Sequence, residues 1–208
     1  MPEKKVEPGD CVLSLADDAG LFWEDVWNDS ANAGLKSKRK YPTILMPGDK
    51  LELRDAEERE ESGSTEAKHS FTLKGATARL RLRLRTGGAA VANKQVTLVV
   101  DGVSTATQTD QDGRLEIPIA PGANEAEMRV GDDKGFYLLK LGWMTPIDET
   151  SGLQTRLFNL GFDPKGIDND LGTGTRKAMQ AFQTSQNLKR SDKPNDDTRN
   201  SLEQEYGC

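Results

Sequence analysis

The chain has 208 residues, of which 35% are hydrophobic and 30% are charged, and this balance suits several small domains with thin cores better than one large core. Its formal net charge of −6 provides no basic field that would attract nucleic acid or an anionic membrane. No apolar run approaches the roughly 20 residues that a membrane helix needs, so no membrane span is predicted.

The N-terminal segment and the cysteines bear on where the protein is found. Residues 1–10 carry charges and two prolines without an apolar run, so no secretory signal is predicted. We therefore expect the protein to be cytoplasmic as synthesised, and any delivery to the periplasm or cell wall would follow a non-classical secretion route. Cys11 is predicted to be a small buried hydrophobe and Cys208 a terminal thiol, with a bridge between them as the alternative.

The first predicted module, residues 1–54, has similar turns at its two ends. A Pro-Gly-Asp sequence occurs at residues 8–10 and again at 47–49, and each predicts a tight turn beside a short strand. Val12, Leu15 and Ala16 have helical spacing, and Trp23–Asn28 forms a second helical pattern. The predicted order is therefore strand, helix, helix, strand.

This order and its turns resemble the LysM carbohydrate-binding module. The resemblance is carried by Pro8-Gly9-Asp10-Cys11, by Ser14-Leu15-Ala16 and by the closing residues 45–51. It implies a βααβ fold and a sugar ligand, with contacts from Gly9, Asp10, Trp27 and Asn28. Trp23 and Trp27 are four residues apart on one helical face, where they either stack on a sugar or pack in the core of a small module.

A charged segment and then a β-rich region follow this module. Residues 55–69 are nearly all charged or small and polar, so they are predicted to form a solvated acidic linker. Within residues 70–142, short apolar or alternating runs are separated by turn sequences such as Asp101-Gly102. This pattern predicts a small antiparallel β-sandwich. The sequence at residues 109–114 resembles a turn of Ig-like and carboxypeptidase-regulatory-like sandwiches.

Arginine and leucine alternate strictly over residues 79–85, which predicts a half-buried strand over residues 77–85 with one apolar and one cationic face. The cationic face is a candidate site for protein interaction, through a partner's acidic surface, or for binding an anionic polymer. The alternative is a solvated sheet face that protects an edge strand from aggregation. The residues of this arginine row are Arg79, Arg81, Arg83 and Arg85.

Metal sites and catalytic residues are not predicted. The pairs Asp110/Asp112 and Asp168/Asp170 lack the further oxygen ligands of a calcium loop, so turn formation is the better interpretation. The single histidine, His69, lies in a polar stretch and cannot supply a zinc-peptidase ligand set or a hydrolytic triad with any evident partner. We therefore expect a non-enzyme that uses no cofactor and no metal.

The C-terminal third predicts short amphipathic helices joined by turns. Leu153, Leu157 and Leu160 share one helical face, and Gly161 follows where a left-handed C-cap residue is favoured. Thr175 and Phe182 lie seven residues apart on one face of a later helix.

The order of these residues resembles the three-helix peptidoglycan-binding domain that is attached to bacterial wall-lytic enzymes. The resemblance covers about 50 residues, with a length typical of the smallest domains, and its marks include Leu160-Gly161-Phe162 and Leu171-Gly172. It implies peptidoglycan as the partner. Side-chain amides offer both a donor and an acceptor to a glycan or peptide, whereas the apolar members also suit plain helix packing. The implied ligand-binding residues are Gln154, Leu171, Gly172, Thr175, Phe182 and Gln183.

The sequence thus predicts a multidomain α+β chain: a LysM-like βααβ module (1–54), an acidic linker (55–69), an Ig-like antiparallel β-sandwich (70–142) and a three-helix all-α domain (143–208). The first functional hypothesis is a non-catalytic protein that binds peptidoglycan, through its glycan or stem peptide, with both terminal modules. The second is an adaptor, spike-associated component or cargo of a contractile injection (type VI secretion-like) machine that acts by protein–protein contact. A cell-wall hydrolase is the third.

Overall fold

A computed structural model describes residues 3–55, 62–70 and 78–207. It contains both helices and antiparallel strands, which confirms the predicted mixed α+β class. The chain divides into two compact units, one comprising Met1–Lys38 and Pro47–Trp143, the other Arg39–Met46 and Met144–Cys208. Residues 56–61 of the predicted linker, Thr77 and Cys208 lie outside the described residues.

The N-terminal part of the first unit contains two short strands around a helical segment. Strand β1 (Glu3–Lys5) pairs antiparallel with β2 (Lys50–Glu52). Between them lie α1 (Val12–Asp18), α2 (Trp23–Asn28), a 3-10 helix (Ser30–Asn32) and α3 (Ala33–Lys38). The first two helices occupy the positions that the apolar spacing predicts, whereas α3 is an addition within a polar stretch. The core side chains here are Val6, Val12, Leu15, Ala16, Val26, Trp27, Leu51 and Leu53.

A buried asparagine joins the helices of this segment to its sheet. The Asn32 side chain is 1% exposed, donates to the carbonyl oxygens of Val26 and Glu52 at 2.9 and 2.8 Å, and accepts from the Glu52 amide at 2.8 Å. A buried amide is stable only when its donors and acceptor are satisfied, as they are here. Asn32 therefore fixes the end of α2 against β2.

The β-rich region contains a four-stranded antiparallel sheet in the order β10-β9-β6-β7. Its strands are β6 (Gln95–Val100), β7 (Val103–Gln108), β9 (Glu125–Val130) and β10 (Tyr137–Lys140). Strand β3 (Ala78–Arg83) pairs with β8 (Arg114–Ile119), and β4 (Arg85–Thr86) pairs with β5 (Ala89–Ala90). Side chains from β3, β6, β8 and β9 form one hydrophobic cluster, built from Leu80, Val96, Leu98, Val100, Leu115, Ile117, Ala126 and Met128.

The predicted strand at residues 77–85 is interrupted at Leu84. The Leu84 amide donates to the Gly113 carbonyl at 2.7 Å, and the Leu84 carbonyl accepts from the Val91 amide at 2.9 Å. Gly113 has a left-handed φ of +75°, and a β-carbon there would lie 2.4 Å from the Leu84 oxygen. Leu84 is thus where the chain exchanges one pairing partner for another, which side-chain alternation alone does not reveal.

The C-terminal part contains α4 (Thr150–Asn159), α5 (Thr173–Ser185) and α6 (Asp196–Tyr206). The ends of α4 and α5 are similar: Gly161 and Asn187 adopt left-handed φ values of +90° and +55°. In both cases the next residue donates its amide back to the last turn, from Phe162 to Leu157 and from Leu188 to Gln183, at 2.8 Å each. The core side chains are Leu153, Leu157, Ala178, Met179, Phe182 and Leu202.

Among the described residues, none of the helices has the length and apolar character needed to cross a membrane.

Candidate functional site

Gln154 holds the loop between α4 and α5 from inside the domain. Its side chain is 1% exposed. Its Nε2 lies 2.7 Å from Asp168 Oδ1, 3.0 Å from the Asp170 carbonyl and 2.9 Å from Thr175 Oγ1. Its Oε1 accepts from the amides of Asp168 and Asn169 at 3.1 and 3.0 Å. One amide therefore organises the backbone of residues 168–170 and the first turn of α5.

Gln183 does the same for the loop between α5 and α6. This side chain is fully buried, and its Nε2 donates to Ser191 Oγ at 2.9 Å and to Thr198 Oγ1 at 2.8 Å. Its Oε1 accepts from the Ser191 amide at 3.0 Å. The Asn195 side chain completes the arrangement by accepting from the Thr198 amide at 3.0 Å as the N-cap of α6.

The two arrangements form an internal repeat. In each, a helix carries a buried glutamine whose amide binds the next loop and a threonine at the third position of the next helix, Thr175 in α5 and Thr198 in α6. Both threonines are at most 2% exposed. Since each amide uses donors and acceptor within the domain, breaking these bonds for a ligand would carry a desolvation cost.

This burial argues against the predicted direct ligand contact of four residues and for a positioning role. Gln154, Gln183 and Thr175 are occupied by internal hydrogen bonds, and Phe182 is fully buried with its ring 5.5 Å from that of Phe162 in an edge-to-face contact. Leu171 and Gly172 are half-buried at the start of α5. What the domain presents outward is the loop that these residues shape.

The exposed part of that loop carries charge and one apolar side chain. Ile167 is 52% exposed, and Asp163, Asp168 and Asp170 are also exposed. The Gln154 side chain, followed by the Asp170 amide, holds the pKa of Asp168 below its ordinary value of 3.8. Hydrogen bonds from Lys165 likewise lower the pKa of Asp163. The loop is therefore an ordered surface with ionised carboxylates at neutral pH.

Two close approaches of glycine keep this loop and the segment before α4 in place. A β-carbon at Gly174, in the first turn of α5, would lie 2.4 Å from the Pro164 carbonyl oxygen. A β-carbon at Gly152, in α4, would lie 2.0 Å from the Pro146 carbonyl oxygen. Arg156, 1% exposed, donates from Nη1 to the carbonyl oxygens of Thr145 and Gly152 at 3.0 and 2.9 Å. At Gly152 and Gly174 the backbone of another segment lies so close that a residue with a β-carbon would not fit.

The Pro8-Gly9-Asp10 turn of the N-terminal module packs against the end of the β-rich region. Gly9 has φ +96°, and a β-carbon there would lie 2.7 Å from Asn124 Oδ1 and 3.8 Å from the Trp143 indole nitrogen. A β-carbon at Gly142 would lie 2.5 Å from the Gly9 carbonyl oxygen. The Asp10 carboxylate accepts from the Glu7 amide at 2.8 Å within its own turn. The predicted contacts of Gly9 and Asp10 with sugar compete with these internal ones.

The other two N-terminal candidates differ in exposure. Trp27 is 7% exposed and is part of the core, as the packing alternative anticipates. Asn28 is exposed, donates to the Glu24 carbonyl at 2.7 Å and accepts from Lys36 Nζ at 2.6 Å. Of the four residues that the LysM resemblance implies, Asn28 is exposed, Gly9 and Asp10 are half-buried and Trp27 is buried.

The arginine row lies on the solvent side of β3 and continues into β4. Arg79 and Arg81 both pair with Glu116 on β8, at 2.7 and 3.0 Å, and these bonds lower the pKa of Glu116. Arg83 donates from Nε to the Asp112 carbonyl at 3.3 Å. Three of the four arginines therefore have partners on β8 or in the turn that precedes it.

In the described part of the chain, the acidic, histidine and cysteine side chains form no group of three or more that could hold a metal ion. Asp110 accepts from the amides of Asp112 and Arg114 at 2.8 Å each, as an aspartate in a turn does. Cys11 is buried, and His69 contacts the Ser64 carbonyl at 3.0 Å in an exposed segment.

Comparison with known families bears on the C-terminal region. Residues 147–202 match the family model described as "Putative peptidoglycan binding domain". This match supports a peptidoglycan-binding helical domain in the C-terminal region. This agrees with the resemblance predicted from the sequence. The LysM-like and Ig-like resemblances stay predictions. No curated protein and no solved structure matches the chain significantly.

The matched region contains site residues that sequence reasoning missed. Ser191 and Thr198 bond to Gln183 as Asp168 and Thr175 bond to Gln154. Asn195 in addition caps α6. A signal for them exists in the sequence, since Gly172 and Asn195 each stand three residues before a threonine. The second copy was overlooked because its loop, residues 187–195, shares few residue types with the first.

Proposed function

We propose that this protein is a non-catalytic peptidoglycan-binding protein whose C-terminal domain makes the principal contact with the polymer. The observation that carries the proposal is the family match at residues 147–202, which coincides with a domain whose two loops are each held by a buried glutamine. Loops held in one conformation lose little conformational entropy on binding, so even a small surface gains affinity.

The role of the N-terminal module follows from its packing. The Gly9 turn contacts Asn124 and approaches Gly142, and Trp27 is buried, so the surface that the LysM resemblance implies is largely engaged within the protein. We propose that this module acts mainly as a structural element beside the β-rich region. The hypothesis that both terminal modules bind the polymer at once would require Asn28 and its neighbours to bind sugar.

The proposal is tested by sedimentation with purified, insoluble sacculi. We expect the full chain to sediment with sacculi, and Leu157→Asp, which places a charge in the C-terminal core, to abolish sedimentation. Retained sedimentation of the Leu157→Asp protein, after loss of the C-terminal helices is verified by hydrogen–deuterium exchange, would contradict the proposal.

A matched control separates the C-terminal domain from the arginine row as the surface that binds sacculi. Replacing Arg79, Arg81, Arg83 and Arg85 by glutamine removes the cationic face without touching the C-terminal core. We expect sedimentation with sacculi to be unchanged, because three of these arginines are engaged by groups on or beside β8. Loss of sacculus binding in this variant would instead favour a role for the β-rich region. Absence of murein digestion by the wild-type protein would support the non-catalytic assignment.

A further inference from the structure

A second surface of the C-terminal unit has the composition of a binding site. Lys40 and Tyr41 line an open depression with one face of α6. The segment Arg39–Met46 belongs to the same compact unit as the helices of this domain, although it lies more than 100 positions earlier in the chain. We call this depression the Lys40 depression, and its other lining residues are Asn200, Glu203 and Gln204 of α6 and Gly207, which follows the helix.

These four residues occupy positions i, i+3, i+4 and i+7 and therefore share one helical face. This face carries no apolar side chain, since it presents two amides, a carboxylate and a glycine. Gly207 ends the helix with a left-handed φ of +102° and leaves the end of the depression free of a side chain. The apolar face of the same helix is directed inward, where Leu202 is fully buried.

An ion pair forms the centre of the depression. Lys40 Nζ lies 2.7 Å from Glu203 Oε2, and the Glu203 side chain is only 10% exposed whereas that of Lys40 is 64% exposed. The Glu203 carboxylate, followed by Tyr41, raises the pKa of Lys40 above its ordinary value. The depression therefore places an ammonium group and a carboxylate side by side.

The aromatic ring in the depression is not free to stack on a sugar from the side that Lys40 covers. The Lys40 ammonium lies 5.2 Å from the centroid of the Tyr41 ring. The charged pair and the side-chain amides of Asn200 and Gln204 offer donors and acceptors that suit the amine, carboxylate and amide groups of a peptide. The arrangement favours a peptide over a glycan.

We propose that the Lys40 depression binds the stem peptide of peptidoglycan at a position where a free amino group and a free carboxylate lie close together. The ligand carboxylate pairs with Lys40, its ammonium pairs with Glu203, and its amide groups bond to Asn200 and Gln204. This inference rests on the proposed function and adds to it the part of the polymer that is recognised.

The test uses the full chain and a soluble synthetic stem tetrapeptide that has a free side-chain amine and a free terminal carboxylate. Binding is measured by isothermal titration calorimetry. We expect the tetrapeptide to bind, and acetylation of its amine or amidation of its carboxylate to weaken binding by about tenfold, as loss of one partner of a charged pair does. An oligomer of N-acetylglucosamine serves as the sugar-only probe and is not expected to bind here.

Two protein variants assign the effect to this depression. Glu203→Gln is expected to weaken tetrapeptide binding by about tenfold, whereas Glu205→Gln, an exposed glutamate of the same helix outside the depression, leaves it unchanged. The double exchange Lys40→Glu with Glu203→Lys retains an ion pair, so it controls for stability, and it should also lose the tetrapeptide because the charges are reversed. Circular dichroism verifies the fold of each variant.

The outcomes separate this inference from the proposed function. Sedimentation with sacculi without tetrapeptide binding, or tetrapeptide binding that survives both Glu203→Gln and the double exchange, overturns the inference and leaves the proposed function standing. Loss of both sedimentation and tetrapeptide binding in the wild-type protein overturns both. Tetrapeptide binding that depends on both ligand charges and on Glu203 supports the inference.

Discussion

Buried amides decide the conformation of the C-terminal loops. Gln154 makes five hydrogen bonds to the loop before α5 and to Thr175, and all of them lie inside the domain. A residue in this position stabilises through satisfied bonds, and its removal leaves several buried donors and acceptors without a partner. The conformation of this loop is thus set by a side chain that is itself buried.

We expect Gln154→Ala to destabilise the C-terminal domain by about 2–4 kcal/mol, because Thr175 and two backbone amides lose their partner. Hydrogen–deuterium exchange of the α4 and α5 amides measures this locally. Gln180→Ala is the matched control: its amide also bonds to side chains, but to exposed ones, so the cost should stay below about 1 kcal/mol. Equal effects of the two substitutions would refute the positioning role.

Asp168 makes the stability of this domain depend on pH. Its pKa is lowered in the folded protein by the Gln154 side chain and the Asp170 amide, so the ionised form is favoured by folding. The resulting stabilisation is present above the unfolded pKa and is lost as the pH falls through the lower folded pKa. We expect Asp168→Asn to be less stable than wild type at neutral pH, with the difference shrinking below the ordinary value of 3.8. Urea unfolding at a series of pH values checks this, and a difference independent of pH would contradict it.

At the scale of the elements, helix ends and close backbone approaches determine how the helices pack. Gly161 and Asn187 end α4 and α5 in left-handed conformations, and the amide that follows each returns to the last turn. Glycine was predictable at the first of these positions from its place after the apolar run. The role of Gly152 was not, because the carbonyl oxygens that exclude a β-carbon belong to residues 145 and 146, which precede the helix.

Two glycines that both lie in helices are therefore expected to respond oppositely to alanine. Gly152→Ala should destabilise the C-terminal domain by about 2–3 kcal/mol, since its β-carbon would lie 2.0 Å from the Pro146 oxygen. Gly34→Ala in α3 meets nothing within 4 Å and should stabilise by up to about 1 kcal/mol through helix propensity. Hydrogen exchange of α4 and thermal unfolding of each variant provide the measurements. Stabilisation by alanine at position 152 would show that the close approach is not maintained.

At the scale of the molecule, the contact between the Gly9 turn and Gly142 belongs to one unit and the matched family domain to the other. If the function is located in the C-terminal domain, substitutions at the contact between Gly9 and Gly142 should not change it. A substitution at this contact therefore tests, in the full chain, whether the first unit takes part in polymer binding.

We expect Gly142→Val to destabilise the first unit by about 1–3 kcal/mol, because φ is +75° there and a β-carbon would lie 2.5 Å from the Gly9 oxygen. Sedimentation with sacculi should be unchanged. Gly122→Val is the control, since a β-carbon at Gly122 meets nothing within 4 Å. If Gly142→Val enhances sacculus binding, the N-terminal turn binds the polymer once it is released, and the two-module hypothesis gains support.

The sequence by itself determined the elements whose signals are local. Helices α1, α2, α4 and α5 follow from apolar spacing and from turn residues next to them, since these patterns depend on neighbours within a few positions. The resemblance of residues 147–202 to a peptidoglycan-binding domain also follows from the order of residues, and the family match agrees with it.

Only the tertiary structure decided which polar groups face the interior. The donors and acceptor of a glutamine amide can be satisfied equally well by a ligand or by a buried loop. The sequence therefore favoured ligand contact for Gln154 and Gln183. In the structure both side chains make hydrogen bonds inside the domain. Likewise, the placement of Lys40 beside Glu203 joins residues 163 positions apart. Local patterns contain no information on such distances, since long-range contacts are set by how the elements pack.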